Sequence, residues 1–392
     1  MGLRRPQVEG APAHAAPAHA AYLAVIAVLV LVVAVLSCAC LRARALRKEF
    51  TQRYGLERGA GIEAAPRQLR LLSAKELARE KSFEEYRHEV DGLVSRAHSL
   101  GEFGGCGDEL AEACSRAMKG GKRLRPVILL EVARAAGAGH SGYTVDAAEG
   151  ALVLEYLHTS SLVVDDLPEF DDDAERRGEA SLHVATSRGV AQMAALSLLA
   201  GAFQGICRQV EWLRAHCPEM RQVDRLVTRV SSEVSRALGA SGAAKGQFLD
   251  ACIRPERLVT EHGPEVLLEI MALKTAALFE VAFVAGWLFA GGGEERAADL
   301  REAGRHFGLA FQAADDLGDM AQDAARVAAG KPGWNYANTH GEEAAEALVV
   351  GSLGACRRTL ERLELFTPLW EEIYQKVWQM AGAAKPRQAA GA

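Results

Sequence analysis

Carboxylates crowd together at two places in this chain, and their spacing points to divalent-cation chemistry. The first is Leu162-Val-Val-Asp-Asp-Leu-Pro-Glu-Phe-Asp-Asp-Asp-Ala-Glu-Arg-Arg-Gly178, where five aspartates and two glutamates fall within eleven residues after an apolar run. So many carboxylates beside a buried helix are unfavourable unless cations compensate them. Oxygen donors without Cys or His suit Mg²⁺, which keeps several waters and shares its shell with substrate phosphates. The second place is Asp315-Asp-Leu-Gly-Asp319, 150 residues further on in another apolar helical pattern. Asp315 and Asp319 stand at i and i+4, so they share one helix face. A single acidic run reads equally as a solvated loop; the second motif tips the reading towards a cation site.

Candidate anion-binding groups accompany both motifs. Arg176 and Arg177 close the first one, and guanidinium forks match phosphate oxygens. Gly120-Gly-Lys-Arg-Leu-Arg-Pro126 precedes an apolar stretch. Proline suits the first helical position and disfavours α geometry in the residue before it, so Arg125 is expected at the cap. A helix start with Lys122 and Arg125 alongside is a candidate anion site; a basic loop pairing with surface acids is the alternative. A helix expected from Asp146 to Asp166 carries His158, seven residues before Asp165 and on the same face, with Ser161 on that side too. A lone helical His is usually a core residue, and its phase with Asp165 is what argues for function. Asp171, six residues after Asp165, would point elsewhere on an ideal helix, and Pro168 offers the break that could re-aim it. Gly246-Gln-Phe-Leu-Asp250 follows, then Lys274-Thr-Ala-Ala-Leu278, in which Lys274 reads as opening an apolar helix. Gln312 sits one turn before Asp315 and Asp316.

The elements that must hold these groups are helical. Long Ala/Leu/Glu/Arg stretches, scarce Pro and no Asn-Gly or Asp-Gly hairpin signal predict an all-α domain over residues 79–380. Residues 1–19 read as a disordered tail, 42–78 as a charged linker and 381–392 as a loose C-terminal tail. Between them, Ala20 to Leu41 is 22 residues without a charge, long enough to cross a bilayer as one transmembrane helix. Arg42, Arg44, Arg47 and Lys48 follow it directly, which predicts a cytoplasmic C-terminal side, of endoplasmic-reticulum type in a eukaryote. The alternative is a signal peptide with a plastid transit peptide. A net charge of −6 and the lack of a basic, aromatic-interleaved stripe argue against nucleic-acid binding. Eight cysteines without CxxC spacing favour reduced thiols over disulfides or zinc, and no HExxH, GxSxG or Walker loop occurs.

Taken in order, GGKRLRP, His158 seven residues before DDxxxxD, RRG, GQxxD, KTAAL and FQxxDDxxD make the chain resemble the trans-isoprenyl diphosphate synthases, most closely the geranylgeranyl diphosphate synthase group. The resemblance spans residues 105–345. It implies a helical bundle around a deep central cavity, a homodimer or a heterodimer with a related synthase, and about three Mg²⁺ ions on an allylic diphosphate. Carried over by position, Asp165, Asp166, Asp171, Asp315, Asp316 and Asp319 become the metal ligands, the last two supporting. Arg176, Lys274, Thr275 and Gln312 would hold the allylic diphosphate; Lys122, Arg125, His158 and Arg177 would hold isopentenyl diphosphate. The implied reaction is Mg²⁺-dependent prenyl transfer through an allylic cation. Family members with short products carry an aromatic four or five residues before the first Asp; the resemblance therefore implies that Ser161 and Ser160, above Leu157 and Leu154, allow a C20 product, a C25 or longer trans-polyprenyl chain being the alternative. The alternatives are a terpene synthase on the same scaffold and a regulatory subunit. Three departures stand out. Ala195-Leu196 replaces the Gly-Asp that usually opens the following helix, Val164 replaces a histidine, and the family's loop lysine after the second motif has only Lys331 or Arg326 as candidates.

Overall fold

The computed structural model describes residues 79–99, 109–253, 255–329 and 334–382. The tail, anchor and linker expected over residues 1–78 lie outside them, as does Lys331. Within them the protein is all-α. Helices α1 (Phe83–Ser99), α2 (Glu109–Ala117), α3 (Leu124–Ala136) and α4 (Ala148–Asp165) come first. A two-stranded ribbon, β1 (Glu175–Arg176) with β2 (Glu179–Ala180), leads to α5 (Leu182–Ala185) and the long α6 (Arg188–His216). Next come α7 (Val223–Leu238), α8 (Ala243–Gln247), α9 (Pro255–His262), α10 (Val266–Met271) and α11 (Ala277–Phe289). The chain closes with α12 (Ala297–Ala328), α13 (Tyr336–His340), α14 (Glu342–Arg362) and α15 (Pro368–Met380).

Two helices lack a polar face and must therefore be enclosed. Every residue of α11 is buried. In α4 only His158, Ser161, Leu162, Val164 and Asp165 escape full burial, all towards its C-terminal end. Helices α3, α6 and α11 pack around α4, while α12 lies on α11 with α14 and α15 behind it. The α11–α12 approach depends on missing side chains. A Cβ on Gly308 would meet Ala276 Cα at 2.4 Å, and one on Gly304 would meet Glu280 Cα at 2.6 Å. This close backbone contact fixes where the next turns of α12 lie, and those turns carry Gln312, Asp315 and Asp319.

Four local expectations need correction. Pro126 is the third residue of α3, not the first, because no N–H of the first turn needs an intrahelical partner; Val127 N makes the first bond, to Arg123 O at 3.2 Å. Arg123, not Arg125, is therefore the cap, in the left-handed region with φ 53°. Lys274 does not open a helix. It sits in a π-turn, Ala272–Ala276, inside the continuous run from Val266 to Phe289, and such an extra residue rotates the helix face at functional sites. Ala195 and Leu196 lie inside α6, with Leu196 57% exposed, not at a helix start. A hairpin does exist: Arg177 (φ 57°) and Gly178 (φ 79°) form its two-residue loop with both φ positive, the mirror-turn geometry that matches strand twist. Among the described residues α6 alone is long and apolar enough to cross a membrane, but its inner face packs on α4.

Replacing Gly308 with Val should destabilise the protein by about 2 kcal/mol. Urea denaturation measures this, and an unchanged midpoint would contradict the α11–α12 contact as the element that sets the position of Asp315.

Candidate active site

Two adjoining cavities open where the ends of α3, α4, the π-turn and α12 meet. The larger, about 420 Å³, is lined by Lys122, Arg125, His158, Asp165, Arg177 and Leu278 among others. The smaller, about 300 Å³, is lined by Asp250, Asp316, Asp319, Asp323, Arg326 and Trp334. Asp171, Arg176, Lys274, Thr275, Gln312 and Asp315 line both.

One wall is the end of α4. The helix stops at Asp165, ahead of Pro168, and the chain folds back so that Asp171 N donates to Asp165 O at 2.9 Å. The turn continues through Asp172 in the left-handed region, φ 49°. It brings Asp171 into the cavity beside Asp165 although their spacing is wrong for one helix. The opposite wall is α12, which offers Gln312, Asp315 and Asp319.

Protein cations sit between these acids. Lys122 Nζ lies 3.1 Å from Asp315 Oδ1. Lys274 Nζ donates to Asp250 Oδ2 and lies 3.8 Å from Asp171 Oδ2. Burial works against the Lys274 charge, but Asp250, Asp165 and Asp171 outweigh it and hold the ammonium above its usual pKa. The carboxylates are under-compensated. Burial pushes Asp165 up to about 7 against the pull of Lys274, and burial likewise pushes Asp316 up to about 7 despite its hydrogen bonds.

At the other end of the larger cavity, Arg125 is buried with its guanidinium 4.2 Å from the Phe279 ring centre, and burial lowers its pKa to about 10. Its Nη1 reaches His158 Nε2 at 3.3 Å. Burial, then Arg125 and Arg177, push the His158 pKa well below its ordinary value, so the imidazole is neutral. Arg177 donates to Lys119 O and Gly120 O at 2.9 and 3.0 Å. Gly121, with φ 105°, lets the loop wrap it: a Cβ there would fall 2.8 Å from Arg177 Cζ.

Two of the sequence-derived acids face other partners. Asp166 Oδ1 accepts from Arg176 Nε at 2.8 Å, and Asp166 lines a separate cleft of about 110 Å³. Asp316 accepts from Gln312 Nε2 at 2.8 Å and from Tyr336 N at 2.7 Å. Among the described residues no group of three side chains converges as a ready-made metal cage. The donor set nevertheless fits Mg²⁺: it is all carboxylate oxygen, and the raised Asp165 carboxyl marks a shortage of positive charge in a buried place. Such an ion takes one or two carboxylates and completes its shell with water and phosphate.

Comparison with known proteins identifies the scaffold. Residues 108–335 match the polyprenyl synthetase family. The chain belongs to that family. A trans-prenyltransferase of African swine fever virus (strain Badajoz 1971 Vero-adapted) is 35% identical over 318 residues, 81% of this chain and 90% of its own. A chloroplastic geranylgeranyl pyrophosphate synthase of Arabidopsis thaliana is 37% identical over 207 residues, 52% of this chain and 53% of its own. The fold is that of geranyltransferase from Legionella pneumophila (TM-score 0.60, 25% identity, 76% of this chain and 95% of that one). Geranyltranstransferase from Thermotoga maritima is equally similar (TM-score 0.60, 24% identity, 76% and 99%). This polyprenyl synthetase is accordingly a transferase of the trans-prenyltransferase type.

Several residues of this family member gain a place only in three dimensions. Arg123 is almost fully buried and forks between Glu155, Asp91 Oδ1 (2.9 Å) and Met118 O (2.8 Å), anchoring the loop that presents Lys122 and Arg125. Three basic residues stand within four positions there, and sequence does not reveal which one turns inward. Asp173 accepts from Arg176 Nη2 (3.1 Å) and Arg326 Nη1 (2.7 Å), so Arg326 reaches the loop of the first acidic motif. Asp250 belongs to a motif noticed in the sequence, yet only the fold pairs it with Lys274.

Arg123→Ala leaves Glu155 buried without its cation, which should cost about 3–5 kcal/mol in denaturant unfolding. Adding Glu155→Ala should restore part of that loss. Simple additivity of the two substitutions would show that the pair does not couple.

Proposed function

We propose that this prenyltransferase joins isopentenyl diphosphate to an allylic diphosphate, head to tail, and releases geranylgeranyl diphosphate (C20). The observation that supports this is a single cavity that gathers two sets of side-chain donors. Lys122, Arg125, His158 and Arg177 line it at the α3–hairpin side, while Lys274, Thr275 and Gln312 line it at the π-turn side. Leu162, Leu278 and Phe311 supply apolar lining to the same space.

In this reading Asp165, Asp171 and Asp315 hold Mg²⁺, with Asp166, Asp316 and Asp319 in support, and the bound metal supplies positive charge to the allylic diphosphate. Arg176, Lys274, Thr275 and Gln312 hold that diphosphate by fixed donors, which stabilise the charge growing on it as its C–O bond breaks. The second diphosphate is held by Lys122, Arg125, Arg177 and the neutral His158, which aims the isopentenyl double bond at the allylic carbon. A C–C bond forms, a proton leaves the isopentenyl unit for the released diphosphate, and the apolar lining keeps water from the cation.

Product length follows from cavity depth. Ser161 lines the cavity, and Ser160 turns aside to donate to Ala195 O at 2.9 Å, so neither blocks a growing chain. Leu157 and Leu154 are fully buried below them and would form the floor. The reading includes a dimer, and a membrane tether through residues 20–41 with the catalytic domain on the cytoplasmic side.

Full-length protein in detergent, given Mg²⁺, labelled isopentenyl diphosphate and C5, C10 or C15 allylic diphosphates, should yield one C20 product by chromatographic sizing. No incorporation from any primer would refute the elongation reading. Chelating the metal should abolish turnover, and Asp165→Asn should lower kcat on the order of 10²-fold or more. Near-normal turnover in that variant would remove Asp165 from the metal set.

A further inference from the structure

Trp334 begins a short strap that ends in α13, and its indole N–H donates to Asp250 Oδ1 at 2.5 Å. The other oxygen of Asp250 receives Lys274 Nζ. Both oxygens of this carboxylate are therefore engaged, one by a rigid ring and one by a flexible ammonium. Two residues later, Tyr336 N donates to Asp316 Oδ2 at 2.7 Å, and Asp316 Oδ1 accepts from Gln312 Nε2 at 2.8 Å. Gln312 Oε1 in turn accepts from Thr275 Oγ1 at 2.7 Å. Thr275 follows Lys274 in the chain, so the contacts close a ring: Lys274, Asp250, Trp334, Tyr336, Asp316, Gln312, Thr275. Asn335 secures the strap by donating to Asp316 O and Asp323 Oδ2, both at 2.7 Å, and its Oδ1 caps α13.

We infer that Trp334 is a positioning residue: by fixing the Asp250 carboxylate it holds Lys274 where the departing diphosphate needs a cation, and the strap ties that position to Gln312 and Thr275. The inference rests on the elongation reading above and extends it. Lys274 is a point charge on a four-carbon stem among three carboxylates, Asp165, Asp171 and Asp250. The indole hydrogen bond fixes the orientation of the Asp250 carboxylate and so turns its other oxygen to the ammonium, favouring that placement. Trp334 lines the same cavity as Asp171, Lys274, Thr275 and Gln312, so the ring itself also forms part of the wall around the diphosphate.

The test compares Trp334→Phe, which keeps an aromatic ring without the N–H, with Trp334→His, which restores a ring N–H. Melting temperatures establish that both variants fold. In the Phe variant kcat/KM for the allylic diphosphate should fall about tenfold, while KM for isopentenyl diphosphate stays unchanged; the His variant should recover part of the loss. Calorimetry with inorganic diphosphate and Mg²⁺, which needs no turnover, should show the same order of affinities. Tryptophan fluorescence adds an independent signal: the change on adding Mg²⁺ and inorganic diphosphate should vanish in Trp334→Phe, although four other tryptophans remain of the five. Equal diphosphate affinity and equal allylic kcat/KM in wild type and Trp334→Phe would overturn the inference. A rise in both substrates' KM would also overturn it, by making Trp334 a general packing residue. Wild-type protein that binds diphosphate but elongates nothing would refute the elongation reading alone, because the calorimetric arm still decides the role of Trp334.

Discussion

The constraint on which the rest of this structure depends is the shortage of positive charge among half-buried carboxylates lining the two cavities. Asp165, Asp171 and Asp250, all half-buried, face the Lys274 ammonium, and Arg176 adds a further positive charge near Asp165 and Asp171. A protein does not bury acids in this ratio for stability, because each uncompensated charge is penalised by desolvation. An added cation would stabilise such a cluster. Lys122 on Asp315, Arg176 on Asp166 and Arg326 on Asp173 are what the chain itself contributes meanwhile.

Such a site requires rigid walls, and these come from ordinary packing physics. Helix α4 is buried on all sides for most of its length and becomes partly open only over its last two turns, where His158, Ser161 and Asp165 stand. Helix α12 is pressed on α11 and the π-turn through Gly304 and Gly308, so its acidic turn cannot drift. Close-packed interiors transmit position in this way because they do not deform continuously. The π-turn at 272–276 places Lys274 and Thr275 on the cavity just ahead of the fully buried α11.

The relatives divide the molecule instructively. The viral trans-prenyltransferase matches over 81% of this chain, whereas the plant synthase matches over 52%. Both acidic motifs and the basic residues beside them lie within the 108–335 stretch that matches the family. Trp334 and the strap that follows it sit at the very end of that stretch, where this chain departs from the resemblance by lacking an evident loop lysine. The hydrogen-bonded indole there acts on the site through Asp250 and Lys274 and not by a charge of its own.

By itself the sequence determined whatever local periodicity controls: an all-α chain, His158 in phase with Asp165, Asp315 with Asp319, and Gln312 one turn before its acids. Order and spacing of the motifs also identified the family. Only the tertiary structure decided which charges meet. Trp334 and Asp250 are 84 residues apart, and Arg123 and Glu155 are 32 apart; neither pair has a local signal. The start of α3 before Pro126, the π-turn at Lys274 and the ribbon at Arg177-Gly178 likewise escaped, each for one reason. Their backbone geometry is set by what packs against them, and a residue's own preference is worth too little energy to overrule a neighbouring helix.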